Sequence, residues 1–165
     1  PITFADPLSP YAAARRGDAV VDVARLDAAL GRLEEGTDAV LVEGAGGLLV
    51  PFTRDVAFAD LAERWRLDVV VVAANRLGVI NHLLLTVREA ERRGLRVRGV
   101  VLNAARAGAG GLAAETNEAV IRELLPSVPL APLPWLGGRV EHLDALASAG
   151  GALLDALGLV PRTGG

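Results

Sequence analysis

The chain contains no cysteine, no methionine and no lysine. Without cysteine there is no disulfide, no thiolate nucleophile and no Cys-based metal site, and the plain reading is a cytosolic protein. Without lysine, all 17 basic residues are arginine. A compact ammonium on a flexible stem is therefore not available to phosphate chemistry from within this sequence. A GC-biased genome accounts for the Ala- and Arg-rich composition and leaves that consequence untouched. Apolar runs are short, and none reaches the roughly 18 residues that suggest a membrane-crossing helix. The opening string Pro1-Ile2-Thr3-Phe4-Ala5-Asp6 has neither the basic start nor the apolar stretch of a secretory signal. With no methionine anywhere, the sequence is expected to begin inside a longer protein.

A one-signed surface is missing too. Net charge is −3, and the 20 acidic residues are interspersed with the basic ones, so electrostatics argues for neither a nucleic-acid nor a membrane partner. What is present is a large apolar fraction, 52% of 165 residues. That is enough for a substantial core and argues against disorder. No internal repeat or linker interrupts residues 1–165, which read as a single domain.

Along the chain, Asp22 opens a helical pattern carried by Val23, Leu26, Leu30 and Leu33, and Gly36 ends it. Ala39-Val40-Leu41-Val42 reads as a strand covered on both faces, and a helix is expected over 58–65. Residues 68–74 are rich in β-branched side chains and form the clearest strand. A helix from about Ile80 to Gly94 follows, then a strand over 97–102, a Gly/Ala loop over 104–111 and a helix over 115–125. Val128-Pro129-Leu130 reads as a short strand whose proline places it near an edge. A closing helix carries Leu143, Leu146, Leu153, Leu154 and Leu157, and residues 161–165 read as a frayed tail. Alternating strands and helices imply an α/β fold, a parallel sheet with helices on both faces. In such sheets ligands sit beyond the carboxyl ends of the strands. Glu43, Asn75 and Asn103 each stand at the end of an expected strand.

The string Glu43-Gly44-Ala45-Gly46-Gly47 places a carboxylate before a turn almost free of side chains. A carboxylate there can help hold Mg²⁺ beside a nucleotide phosphate, and glycines let backbone N–H groups approach anions. The same string also suits a tight turn with a solvated Glu, and both readings stay open. Leu77-Gly78-Val79-Ile80-Asn81-His82 joins a strand to a helix start, where free N–H groups favour an anion such as a carboxylate. Alternatively, Asn81 or a neighbour merely caps the helix. His82 has no Ser or Asp neighbour that would make a triad, and reads as structural. Asn103 can pair with an adenine edge through its amide, and Pro132-Leu133-Pro134-Trp135-Leu136 can wall a flat base or pack a core. No G-x-x-x-x-G-K-[ST] string occurs, so neither Gly-rich stretch is a P-loop.

Taken in order, these segments resemble the dethiobiotin synthetases. The likeness starts at Phe4-Ala5-Asp6-Pro7-Leu8-Ser9-Pro10, similar to that family's F-A-x-P-x-S-P loop. It continues through Val42-Glu43-Gly44-Ala45-Gly46-Gly47 and residues 77–82, and ends with Asn103 and Pro134-Trp135-Leu136. The resemblance implies a P-loop NTPase-like α/β fold and a cytoplasmic homodimer, with this chain forming the larger, C-terminal part of the domain. It implies that ATP, CO₂ and 7,8-diaminononanoate become dethiobiotin, ADP and phosphate through a phosphorylated carbamate. Carried over by position, Glu43 becomes an Mg²⁺ ligand, and Gly44, Ala45 and Gly46 line the ATP site. Gly47 lies near the diamine, Asn103 reads adenine, and Pro134, Trp135 and Leu136 flank the nucleotide. Glu141 stands where a further nucleotide contact is common, and Leu77, Gly78, Val79, Ile80 and Asn81 bind the substrate carboxylate of the neighbouring subunit. The family's P-loop and its catalytic lysine are not found in the sequence, so this stretch alone is not expected to catalyse. Two alternatives are a cobyrinate or cobyrate synthetase amidation domain and a non-catalytic nucleotide-binding paralogue.

Overall fold

The structure, a computed structural model, describes residues 2–17, 19–44, 46–108, 111–137 and 143–158. The chain divides into two compact units, Pro1–Trp65 and Arg66–Gly165.

The first unit is built on three helices. Helix α1, Pro10–Arg16, was not expected from apolar periodicity, but its start signals are present in the sequence. Ser9 Oγ accepts from the Ala12 N–H at 3.4 Å, and Pro10 occupies the first turn, where its missing N–H costs nothing. Helix α2, Val23–Glu34, starts where expected, because Asp22 Oδ1 accepts from the Ala24 N–H at 2.9 Å. Helix α3, Phe58–Arg64, buries Ala59, Leu61 and Ala62. The Ala39-Val40-Leu41-Val42 run, expected as a covered strand, pairs with no strand among the described residues, and Leu41 is 95% exposed. Apolarity marks a segment as fit for burial, but a strand requires a ladder partner for its N–H and C=O groups.

The second unit carries the sheet. Strands β1 (Val69–Ala74), β2 (Val97–Asn103) and β3 (Leu130–Leu133) pair in parallel in the order β1-β2-β3. Helix α4 (Val79–Arg92) joins β1 to β2, and α5 (Gly111–Leu124) joins β2 to β3. Side chains alternate along β2, so its two faces serve two cores. Val100 and Leu102 pack with Leu83 and Val87 of α4, Ile121 of α5 and Leu130. Val101 turns the other way, to Ala131, Leu157 and Leu153, the last on helix α6 (Leu143–Ala156). Helices thus cover both faces of a parallel sheet, the expected α/β arrangement.

Two differences from the expected boundaries have local causes. Strand β3 runs 130–133 and not 128–130, and it tolerates Pro132 because, among the described residues, it pairs on one side only. Helix α5 begins at Gly111, four residues before Glu115, so its first turn takes in Gly111, the last residue read as loop. Residues 161–165 lie outside the described residues.

Candidate functional site

The expected site residues of the first unit lie together on one exposed stretch. Glu43, Gly44, Gly46 and Gly47 are all exposed, and Ala45 lies outside the described residues. Gly46 has φ +87°, a conformation that L side chains rarely adopt, so glycine is required here by the backbone and not only by composition. At Gly44, a Cβ would stand 3.4 Å from the Phe58 ring. A Cβ at Gly46 would stand 3.0 Å from the Val50 side chain, whereas nothing lies within 4 Å of one at Gly47. Glu43 is the carboxylate at the entrance of this turn.

In the second unit, parallel pairing brings three expected segments to one end of the sheet. Ala74 is in register with Asn103, and Asn103 with Leu133. The three strands therefore release their chains side by side, into the 75–78 turn, the loop after Asn103, and Pro134-Trp135-Leu136. Two hydrogen bonds fasten this end: Asn75 N–H donates to the Asn103 carbonyl at 2.8 Å, and Ala104 N–H to the Leu133 carbonyl at 2.9 Å. Pro134 and Leu136 line a cavity of about 610 Å³ together with Arg122, Pro132, Ser148 and Leu153, and Asn103 is not among its walls. Trp135 is 43% exposed. Glu141 lies outside the described residues.

The start of α4 takes a form that the sequence left open. Its N-cap is Gly78, at φ +93° and ψ −10°, and no side chain caps the helix. Asn81, one candidate cap, instead lies inside the helix and is exposed, as is His82. Leu77, just ahead of the cap, is 86% exposed. The Val79 N–H is taken by the Arg76 carbonyl at 3.1 Å, and no side chain caps the remaining N–H groups of the first turn of α4. Such an end attracts an anion, because the unpaired donors and the helix dipole act in the same direction.

One polar group at this end was not singled out from the sequence. Asn117 of α5 is 4% exposed, and its Nδ2 donates to Asn75 Oδ1 at 2.8 Å and to the Arg76 carbonyl at 3.3 Å. A signal was present: Asn117 precedes buried Ile121 by one helical turn, a position where the pattern calls for an apolar residue. Among the described residues no group of three or more His, Cys, Asp or Glu side chains could hold a metal. Glu43 is a single hard-oxygen donor. A lone carboxylate suits Mg²⁺ shared with nucleotide phosphates and water, and it does not make a protein cage.

A parallel sheet covered by helices on both faces defines an α/β class of protein. The family model described as "AAA domain" matches residues 1–147. A protein of Anaeromyxobacter dehalogenans named "ATP-dependent dethiobiotin synthetase BioD" is 48% identical over 149 residues, covering 90% of this chain and 66% of that protein. A protein of the same name from a second strain is 46% identical over 156 residues, covering 94% and 69%. One from Serratia marcescens is 38% identical over 126 residues, covering 76% and 55%. The chain belongs to the ATP-dependent dethiobiotin synthetase family of AAA-domain proteins. It spans about two thirds of the length of its Anaeromyxobacter relatives. No helix among the described residues is long and apolar enough to cross a membrane.

Proposed function

We propose that the protein takes part in ATP-dependent ring closure, converting 7,8-diaminononanoate and CO₂ to dethiobiotin in biotin biosynthesis. The observation that carries this reading is the family match over residues 1–147, which contains every segment assigned above. The reaction has three steps. One amine adds to CO₂ and loses a proton, giving a carbamate. A carbamate oxygen then takes the γ-phosphoryl group of ATP, with ADP leaving. The second amine attacks the carbamate carbon, phosphate departs, and loss of a proton leaves the cyclic urea. Phosphorylation matters because it turns an oxide that cannot depart into phosphate, which can.

The roles are those that the family resemblance carries to these positions. Gly44, Ala45 and Gly46 line the ATP site with backbone, and the exposed Glu43 is the residue that holds Mg²⁺ there. Bound Mg²⁺ supplies charge neutralisation on the phosphates. Asn103 reads the adenine edge, and Pro134, Trp135 and Leu136 supply flat or rigid surface beside it, with Glu141 a further nucleotide contact. Gly47 lies near the diamine. The uncapped start of α4, residues 77–81, receives the substrate carboxylate of the neighbouring subunit in a cytoplasmic homodimer. In its favour, Gly78 leaves this helix end without a side-chain cap.

The test uses the full-length protein with ATP, Mg²⁺, labelled bicarbonate and 7,8-diaminononanoate. Acid-stable label in a cyclic urea is expected, with its formation lost in Glu43→Ala. A folded protein that binds ATP but incorporates no label would overturn the reading in favour of a non-catalytic paralogue.

A further inference from the structure

Asn117 is the buried polar residue among the described residues, and its hydrogen bonds all leave its own helix. Its Nδ2 donates to Asn75 Oδ1 and to the Arg76 carbonyl. That same carbonyl accepts the Val79 N–H at 3.1 Å, the bond that closes the turn in front of α4. Asn75 extends the network in two directions, donating Nδ2 to the Ala114 carbonyl at 3.2 Å and its backbone N–H to the Asn103 carbonyl. Residues 75 and 76 are therefore gripped from α5 through side-chain amides and from β2 through backbone. Two residues further on stands Gly78, left-handed and uncapped.

Packing alone does not call for an amide here. Ile121, one turn along α5, meets the α4 core as a hydrocarbon, and an apolar residue at 117 would serve that contact equally. It would leave Asn75 Oδ1 without its donor and the Arg76 carbonyl with one donor in place of two. Asn117 itself is buried while Arg76 is exposed, so the amide ties an exposed turn to the interior by hydrogen bonds that packing alone does not supply. The Arg76 carbonyl is joined to the start of α4 through the Val79 N–H, so fixing that carbonyl restrains the turn from which the helix begins.

We infer that Asn117 is a positioning residue for substrate: acting through Asn75 and the Arg76 carbonyl, it holds the 75–78 turn so that the start of α4 receives a carboxylate. It touches no reacting atom. The inference rests on the proposed function, which supplies the carboxylate, and it adds a group that selects for that carboxylate over an uncharged chain end.

The experiment compares two substrates on the full-length protein: 7,8-diaminononanoate, and the same vicinal diamine with a methyl group in place of its carboxylate. Wild type is expected to show a much lower KM for the acid. In Asn117→Ala the KM for the acid rises about tenfold or more, as for other small misplacements of a binding group. The KM for ATP, the KM for the uncharged diamine and kcat stay within about twofold. Asn75→Ala leaves Asn117 its Arg76 contact, shifts the same KM by less, and carries the test if Asn117→Ala does not fold. Equal losses on both diamines, or a lowered Tm with unchanged selectivity, would overturn the positioning role. A wild type that turns over both diamines equally well would instead overturn the carboxylate site, and the inference with it. A wild type that makes no cyclic urea would overturn the proposed function itself.

Discussion

Asp27 and Trp65 are joined by a single hydrogen bond, in which the indole Nε1–H donates to the carboxylate Oδ1 at 2.8 Å. The same carboxylate takes a fork from Arg64, with Nε on Oδ1 at 3.0 Å and Nη2 on Oδ2 at 2.6 Å. An indole N–H can only donate, so this carboxylate is what satisfies it, and α2 is tied to the end of α3 through one side chain. The Trp65 hydrogen bond first, and the Arg64 bonds after it, hold the Asp27 carboxyl below its ordinary value of 3.8. A group whose folded pKa is depressed contributes stability above its unfolded pKa and loses it as pH falls through the folded one. The wild-type unfolding midpoint should therefore fall on acidification below pH 3.8. Asp27→Asn should start lower at neutral pH and lose less across that window, as thermal melts at several pH values would show.

Glu89 offers an independent pH test in the second unit. Arg92 chelates it with two bonds of 2.7 Å and Arg93 adds one of 2.6 Å. Arg92 first and Arg93 second hold its carboxyl down to about 2 from an ordinary 4.5. The sign is the same: the contribution is complete above pH 4.5 and disappears towards pH 2. Amide hydrogen exchange in the last turn of α4, corrected for intrinsic rates, should become less protected over that interval. Glu89→Gln should show the reduced protection already at neutral pH, with no such change on acidification.

Gly99 on β2 is a site where any side chain collides. A Cβ there would stand 2.9 Å from the Pro129 carbonyl oxygen and against Leu157. Gly99→Ala should cost about 1–3 kcal/mol by overpacking, read from the urea midpoint. Gly150, inside α6, has open space around a Cβ. Gly150→Ala should add roughly 0.5–1 kcal/mol through helix propensity and a less flexible unfolded chain.

Gly78 separates backbone strain from steric collision. Nothing lies within 4 Å of a Cβ at this position, yet φ is +93°. Gly78→Ala should cost about 1–2 kcal/mol through conformation alone, and Gly78→Asn less, since asparagine tolerates positive φ better. Denaturant titration of the two variants beside wild type measures the difference.

Most elements were legible because their signals are local. Asp22 starts α2 by offering a carboxylate to a nearby N–H, and the Val-rich run at β1 needs little beyond its own β-branched side chains to read as a strand. Helix α1 was equally local, through Ser9 and Pro10, but it is too short to show a periodic apolar stripe. The 39–42 run misled for the opposite reason, since its apolarity says nothing about who pairs with it. In the candidate site, the glycines of the 43–47 turn and the 77–82 string could be read as motifs. The Asn75–Asn117 pair could not, because its members lie 42 residues apart.

By itself, then, the sequence determined the alternation of strand and helix, the residues that punctuate strand ends, and the family likeness. Each depends on side chains within a turn or a few residues of one another, or on motifs read in order along the chain. Tertiary structure alone decided three further matters. Parallel register brought the 75–78 turn, Asn103 and Pro134 to one end of the sheet, since strand pairing acts between segments far apart in sequence. That no side chain caps the start of α4 was decided once Gly78 took the left-handed conformation and Asn81 fell inside the helix. Last, Asn117 became part of the site only because α5 packs over the end of β1, where a buried amide must find its partners on another element.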